Sequence, residues 1–175
     1  MASNAALSRV MRRLARLALG ITLVCLAARC RAENKCPWLN EATASGLLGG
    51  DAVGAFVEAS QGQPAVCTFT QTGDRFTRTL RISVEVAPEP HARFTTVAQV
   101  CGADAVPLPA IGNEATICAA DKSKGIFGER VVGRVRDQIF TILVTTTLRA
   151  DPVLTHETLP VKLSTAAEQV SGNLF

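Results

Sequence analysis

ERVVGRVRDQIFTILVTTT, residues 129–147, carries the clearest hairpin pattern in the chain. Two runs rich in β-branched and aromatic residues flank Asp137-Gln138, and each alternates apolar with polar side chains. A turn at Asp137-Gln138 predicts an antiparallel hairpin. Val135 then faces Phe140, Gly133 faces Ile142 and Val131 faces Val144. Side chains alternate across a strand, so this register buries one apolar face. It leaves Arg130, Arg134 and Arg136 on the other, with Ile139, Thr141 and Thr145. Asn-Gly and Asp-Gly are both absent from the turn, which leaves its type open.

Upstream of the hairpin, AVGAFVEA (52–59), AVCTFTQ (65–71), RTLRISVEVA (78–87) and EATICAA (114–120) read as further strands. In the third of these, Leu80, Ile82, Val84 and Val86 face one way. Asn40 is a helix N-cap ahead of Glu41–Ser45, and Gly49-Gly50 ends that helix. HARFTTVAQVC (91–101) carries Phe94, Val97, Ala98 and Cys101 at helical spacing, with Gly102 as the stop. A last helix starts at Thr158 and Pro160, with Val161, Leu163, Ala167, Val170 and Leu174 as its apolar stripe. The order is α-βββ-α-βββ-α. Its short connections predict an α+β domain with a mainly antiparallel sheet and helices on one face.

Residues 1–32 read as a signal peptide and residues 33–175 as a single exported domain. Arg9, Arg12, Arg13 and Arg16 precede the twelve-residue apolar core LALGITLVCLAA, with Ala27, Ala28 and Ala32 as candidate cleavage positions. The location expected is therefore periplasmic or extracellular. Arg29 precedes Cys30 and Val24 precedes Cys25, which argues against a lipid anchor. Membrane contact is expected only where the N-terminal segment is retained. The whole chain has 18 Lys+Arg against 15 Asp+Glu, but six arginines lie at or before Arg31. Residues 33–175 keep twelve basic and fifteen acidic side chains, a net charge of −3. The basic balance belongs to the targeting segment, so nucleic acid is not an expected partner.

Cys36, Cys67, Cys101 and Cys118 remain after cleavage, and an oxidising compartment makes them disulfide candidates. Four cysteines allow three connectivities. Cys36–Cys67 and Cys101–Cys118 are preferred, because each joins a residue flanking a helix to one inside a strand. No C-x-x-C occurs, and His91 and His156 stand beside turn residues, so neither a metal nor a cofactor is expected.

Cys36 ahead of a short helix ending in LLGG, C-T-F in the second strand and the turn PAIGNEA (109–115) occur together with a terminal amphipathic helix. In these features the chain resembles an uncharacterised domain family of exported bacterial lipoproteins. That family shows a Cys–helix–Leu-Gly start, a C-x-[WF] strand and a G-x-[GN]-[DE]-A turn. The resemblance covers roughly 36–172. It implies a compact exported α+β domain and carries no catalytic residues. The lipobox that accompanies the family is absent.

Catalytic patterns are missing as well. No G-x-S-x-G motif and no glycine-rich phosphate loop follows a strand, and no carboxylate pair is visible. Tyrosine is absent and Trp38 is the sole tryptophan, which disfavours an aromatic sugar platform. Glu114, in the G-N-E-A turn, reads as a capping residue. Two surface features are candidates for binding. Arg130, Arg134 and Arg136, joined by Arg81 if the strands are neighbours, could hold a carboxylate or phosphate through forked hydrogen bonds. The plainer alternative pairs them with Glu85, Glu129 or Asp137, or covers them with a helix. Ile126-Phe127, between Gly125 and Gly128, could contact a protein or lipid surface or fold back onto the core. The reading is a non-enzymatic binding domain for an unknown protein or small anionic ligand. A small hydrolase with a site of dispersed polar residues and a cystatin-like inhibitor are the alternatives.

Overall fold

The computed structural model describes residues 35–120 and 127–175. The segment read as a signal peptide, with Cys25 and Cys30, lies outside the described residues, and so does Ile126. The elements are α1 (Glu41–Leu48), β1 (Val53–Val57), β2 (Ala65–Gly73), β3 (Phe76–Val86) and α2 (Pro90–Ala98). A 3-10 segment (Gln99–Asp104) leads to β4 (Val106–Pro107), β5 (Glu114–Ala119), β6 (Phe127–Val135), β7 (Gln138–Thr146) and α3 (Thr158–Leu174). This is the expected order with one added two-residue strand, β4. All seven strands form one sheet in the order β1-β2-β3-β7-β6-β5-β4, antiparallel throughout.

The hairpin lies at the centre, but its turn is Arg136-Asp137 rather than Asp137-Gln138. Val135 pairs with Gln138, Gly133 with Phe140 and Val131 with Ile142, two residues from the expected register. A shift of two leaves every strand side chain on its expected face. Two contacts select this register. The Phe140 ring lies on Gly133, where an added Cβ would stand 2.2 Å from it. Arg136 takes a left-handed φ of 54° and its N–H donates to Asn113 Oδ1 at 2.6 Å. The expected facing of Val135 to Phe140 would put a branched side chain where that ring needs a glycine.

Leu80, Ile82, Val131, Val135, Phe140, Ile142 and Val144 form the buried sheet face. Against it pack Ala44, Leu47 and Leu48 of α1 with Leu159, Leu163, Ala166, Ala167, Val170 and Leu174 of α3. The α1 cap is as read: Asn40 accepts from Thr43 N, and Gly49 closes the helix at φ 79°. The α3 stripe differs in one place. Val161 is exposed, and Leu159 takes the position one turn before Leu163.

The expectation of helices on one face holds for α1 and α3 and fails for α2. Its His91 bonds Glu114 at 2.9 Å and its Arg93 bonds Glu85 at 2.7 Å, both carboxylates projecting from the opposite sheet face. Cys101, just beyond α2, is bonded to Cys118 on that same face. Helical spacing of Phe94 and Val97 identifies a helix but not the side of the sheet it covers. α2 lies over β6 and β7, where Val132 and Ile139 are buried.

Both expected disulfides are present. Cys36–Cys67 and Cys101–Cys118 have Cα separations of 5.6 and 5.4 Å. None of α2's own residues is fully buried, so the second bridge carries much of its attachment. Replacing Cys101 and Cys118 by serine is expected to lower stability by about 3 kcal/mol in urea unfolding. Amide exchange should show the first losses of protection in α2.

A buried ion pair that the sequence reading missed closes one end of the core. Arg78 donates from Nε and a terminal nitrogen to the two oxygens of Asp151, each at 2.7 Å. Its other terminal nitrogen donates to Leu48 O at 2.9 Å and Gln71 Oε1 at 3.1 Å. Asp151 also accepts from Thr146, Val153 N and Leu154 N. The network fastens the end of α1, β2, β3, β7 and the approach to α3 at one point.

Candidate functional site

Among the described residues, the second sheet face is covered by α2 at one end and open at the other. The register places Arg81 of β3 beside Leu143 of β7, and Leu143 beside Arg130 of β6. Strand spacing sets the two arginine Cα atoms roughly 10 Å apart. Arg81 is exposed and Arg130 half-buried. Neither has an ion-pair or hydrogen-bond partner among the described residues. Half-buried Thr68, Thr79, Ser83, Thr141 and Thr145 surround them. Two guanidinium groups beside hydroxyls and one apolar side chain can receive carboxylates or phosphates through charge-assisted hydrogen bonds.

The other two members of the expected arginine row are elsewhere. Arg134 is held by Glu114 and by the Arg136 carbonyl at 3.0 Å. Arg136 sits in the hairpin turn, its guanidinium 5.5 Å from the Phe175 ring. The row is therefore two separate sites, and only Arg81 and Arg130 share an open surface. The β-turn shift explains this, since it moves Arg136 off the strand. Phe127 is not part of a loop tip; it opens β6 opposite Thr146 and is half-buried.

Glu114 was read as a capping residue, but its carboxylate is held by side chains instead. His91 and Arg134 both bind its Oε1. Burial works to raise its pKa, but the hydrogen bonds and charges of His91 and Arg134 outweigh this and hold it below the ordinary value. The His91 side chain is 77 % exposed, and its ring bonds are to Glu114 alone among the described residues. A carboxylate that orients an imidazole serves nucleophilic catalysis only when a hydroxyl or thiol stands at the other ring nitrogen. Here the cluster fastens α2 to β5 and β6. A shallow cleft of about 380 Å³ lies between Pro37, Trp38 and Asn40 on one side and Gln169 and Asn173 on the other, with neither histidine in it.

Glu129 was a possible partner for the arginines, yet it projects toward the core side. It is half-buried, and its Oε2 is sealed from solvent without a hydrogen-bond partner. Burial raises its pKa above the ordinary carboxylate value, and the charge of His156 offsets part of that rise. A raised folded-state pKa favours the protonated form on folding, so stability is lost as pH rises through it. Glu129→Gln is therefore expected to melt higher than the natural chain at pH 7, with the gap closing toward pH 4. Thermal melts at the two pH values measure it; a gap that widens at acid pH would contradict the assignment.

Comparison with protein-family models, curated proteins and solved structures returns no match for this chain. Among the described residues there is no cluster of three metal-ligating side chains, and no helix is long and apolar enough to cross a membrane.

Proposed function

We propose that this chain is an exported, non-enzymatic binding domain of the bacterial cell envelope or extracellular space. The observation that carries the reading is the open half of the second sheet face, where Arg81 and Arg130 stand on either side of Leu143 with no ion-pair or hydrogen-bond partner among the described residues. Two disulfides suit an oxidising compartment, and the basic, apolar and small-residue order of residues 1–32 suits cleavage after export. The resemblance to the exported lipoprotein-type domain family supports the same assignment. The His91–Glu114 cluster lacks a nucleophile and lies on an exposed surface, which supports binding over hydrolysis.

Poly-L-glutamate is a suitable probe of the face. In a titration followed by backbone amide NMR, shifts are expected at Arg81, Arg130, Thr141 and Leu143. Salt should weaken them, because the contact is electrostatic. Shifts confined to His91 and Glu114, or none at millimolar probe, would overturn the reading.

A further inference from the structure

The outer edge of β1 offers a contact independent of the arginine face. β1 is the first strand of the sheet and, among the described residues, pairs with β2 alone. In an antiparallel strand each residue's N–H and C=O share one side, and that side alternates along the chain. Gly54 N–H donates to Glu41 Oε1 at 3.0 Å. Gly54, and by alternation Phe56, therefore turn their backbone groups away from β2. Beside that edge, on the open sheet face, Val53 is 76 % and Val57 64 % exposed, with exposed Ala55 between them. An edge of this kind is a template for a further strand.

The Glu41 contact shows what the edge accepts. Its carboxylate stands where the carbonyl of an incoming strand would take the Gly54 N–H. The approach is close: a Cβ added at residue 54 would lie 2.9 Å from Glu41 Oε1 and 3.0 Å from the Phe69 ring, so either the carboxylate or the ring would have to shift. Glu41 is itself exposed, so water can replace the hydrogen bond when the carboxylate swings away. Asp51 and Glu58, also exposed, mark the two ends of the strand. None of these three carboxylates forms an ion pair among the described residues. A second copy would set the same three negative charges against themselves, which disfavours self-pairing and favours a basic partner.

We propose that β1 takes up an extended segment of a partner protein, with β-branched residues in its middle and lysine or arginine at its ends. On pairing, a partner carbonyl replaces Glu41 at Gly54 N–H. The partner's cations then face Asp51, Glu58 and the released Glu41.

Three synthetic heptapeptides test this on the chain from Lys35 to Phe175 within the full exported protein. One alternates valine and threonine with a lysine at each end, one has glutamate ends, and one is the lysine form N-methylated at its central residues. The lysine form is expected to bind at least about tenfold tighter than the glutamate form and to slow exchange of the Phe56 amide. The double variant Asp51→Lys/Glu58→Lys should remove or invert that preference, with its other amide shifts showing the fold intact. Equal affinity for the lysine and glutamate forms would overturn the proposal. So would undiminished binding of the N-methylated form, or binding that leaves the Phe56 amide unprotected. A dimer of the chain alone in sedimentation, with that amide protected, would assign the edge to a second copy instead and overturn the basic partner.

Discussion

Asp151→Ala is expected to lower the unfolding free energy by about 3–5 kcal/mol, measured by urea denaturation at pH 7. The substitution leaves the Arg78 guanidinium, 3 % exposed as a residue, without its bidentate partner inside the protein. An uncompensated buried charge is the costly case; a well-packed apolar replacement of both partners is often close to neutral. The double variant Arg78→Met/Asp151→Leu should therefore recover a large part of the loss. A further consequence concerns pH. Burial works to raise the Asp151 pKa, but its hydrogen bonds from Arg78, Thr146, Val153 and Leu154 outweigh it and hold the carboxyl well below the usual range. A depressed folded-state pKa gives stability that is complete above the unfolded value near 4 and lost as pH falls below it. Asp151→Asn should flatten that acid limb. An acid limb unchanged by the substitution would assign acid unfolding to other carboxylates.

Phe140→Ala is expected to cost about 3–5 kcal/mol. The ring is fully buried and rests on Gly133, so its removal leaves a cavity at the middle of the central hairpin. Filling that space from the other side is blocked, because residue 133 has no side chain to move into it. Arg134→Ala, on the opposite face, removes an arginine that is 20 % exposed and leaves Glu114 bonded to His91. Its expected cost is about 1 kcal/mol, discounted for solvent screening. Equal losses for the two substitutions would contradict the division of the hairpin into a core face and a second face that contributes less to stability.

Much of this architecture is legible in the residues because period and punctuation are local properties. Leu80, Ile82 and Val84 alternate, Asn40 caps, Gly49-Gly50 stops, and the cysteines lie beside helices and inside strands. What is not legible depends on register and on partners far apart in the chain. The turn shift from Asp137-Gln138 to Arg136-Asp137 rests on Asn113, 23 positions from Arg136. The placement of α2 rests on Glu85, Glu114 and Cys118, whose common face is fixed only once β3, β5 and the hairpin are aligned. Arg78 and Asp151 are 73 positions apart, and nothing near either residue marks it as buried. The arginine row shows both sides of this limit. Alternation correctly sends Arg81, Arg130 and Arg134 to one face, but it cannot show that Glu114 stands opposite Arg134 or that Arg136 leaves the strand.

Calorimetric titration with poly-L-glutamate at low ionic strength separates the two parts of that row. Arg81→Glu/Arg130→Glu is compared with Arg136→Glu/Arg149→Glu, a control with the same change in net charge. The first pair is expected to weaken binding by at least about tenfold and the control by about twofold or less. Equal weakening by the two double variants would mean that the probe reads overall charge, and the open face would not be the binding surface.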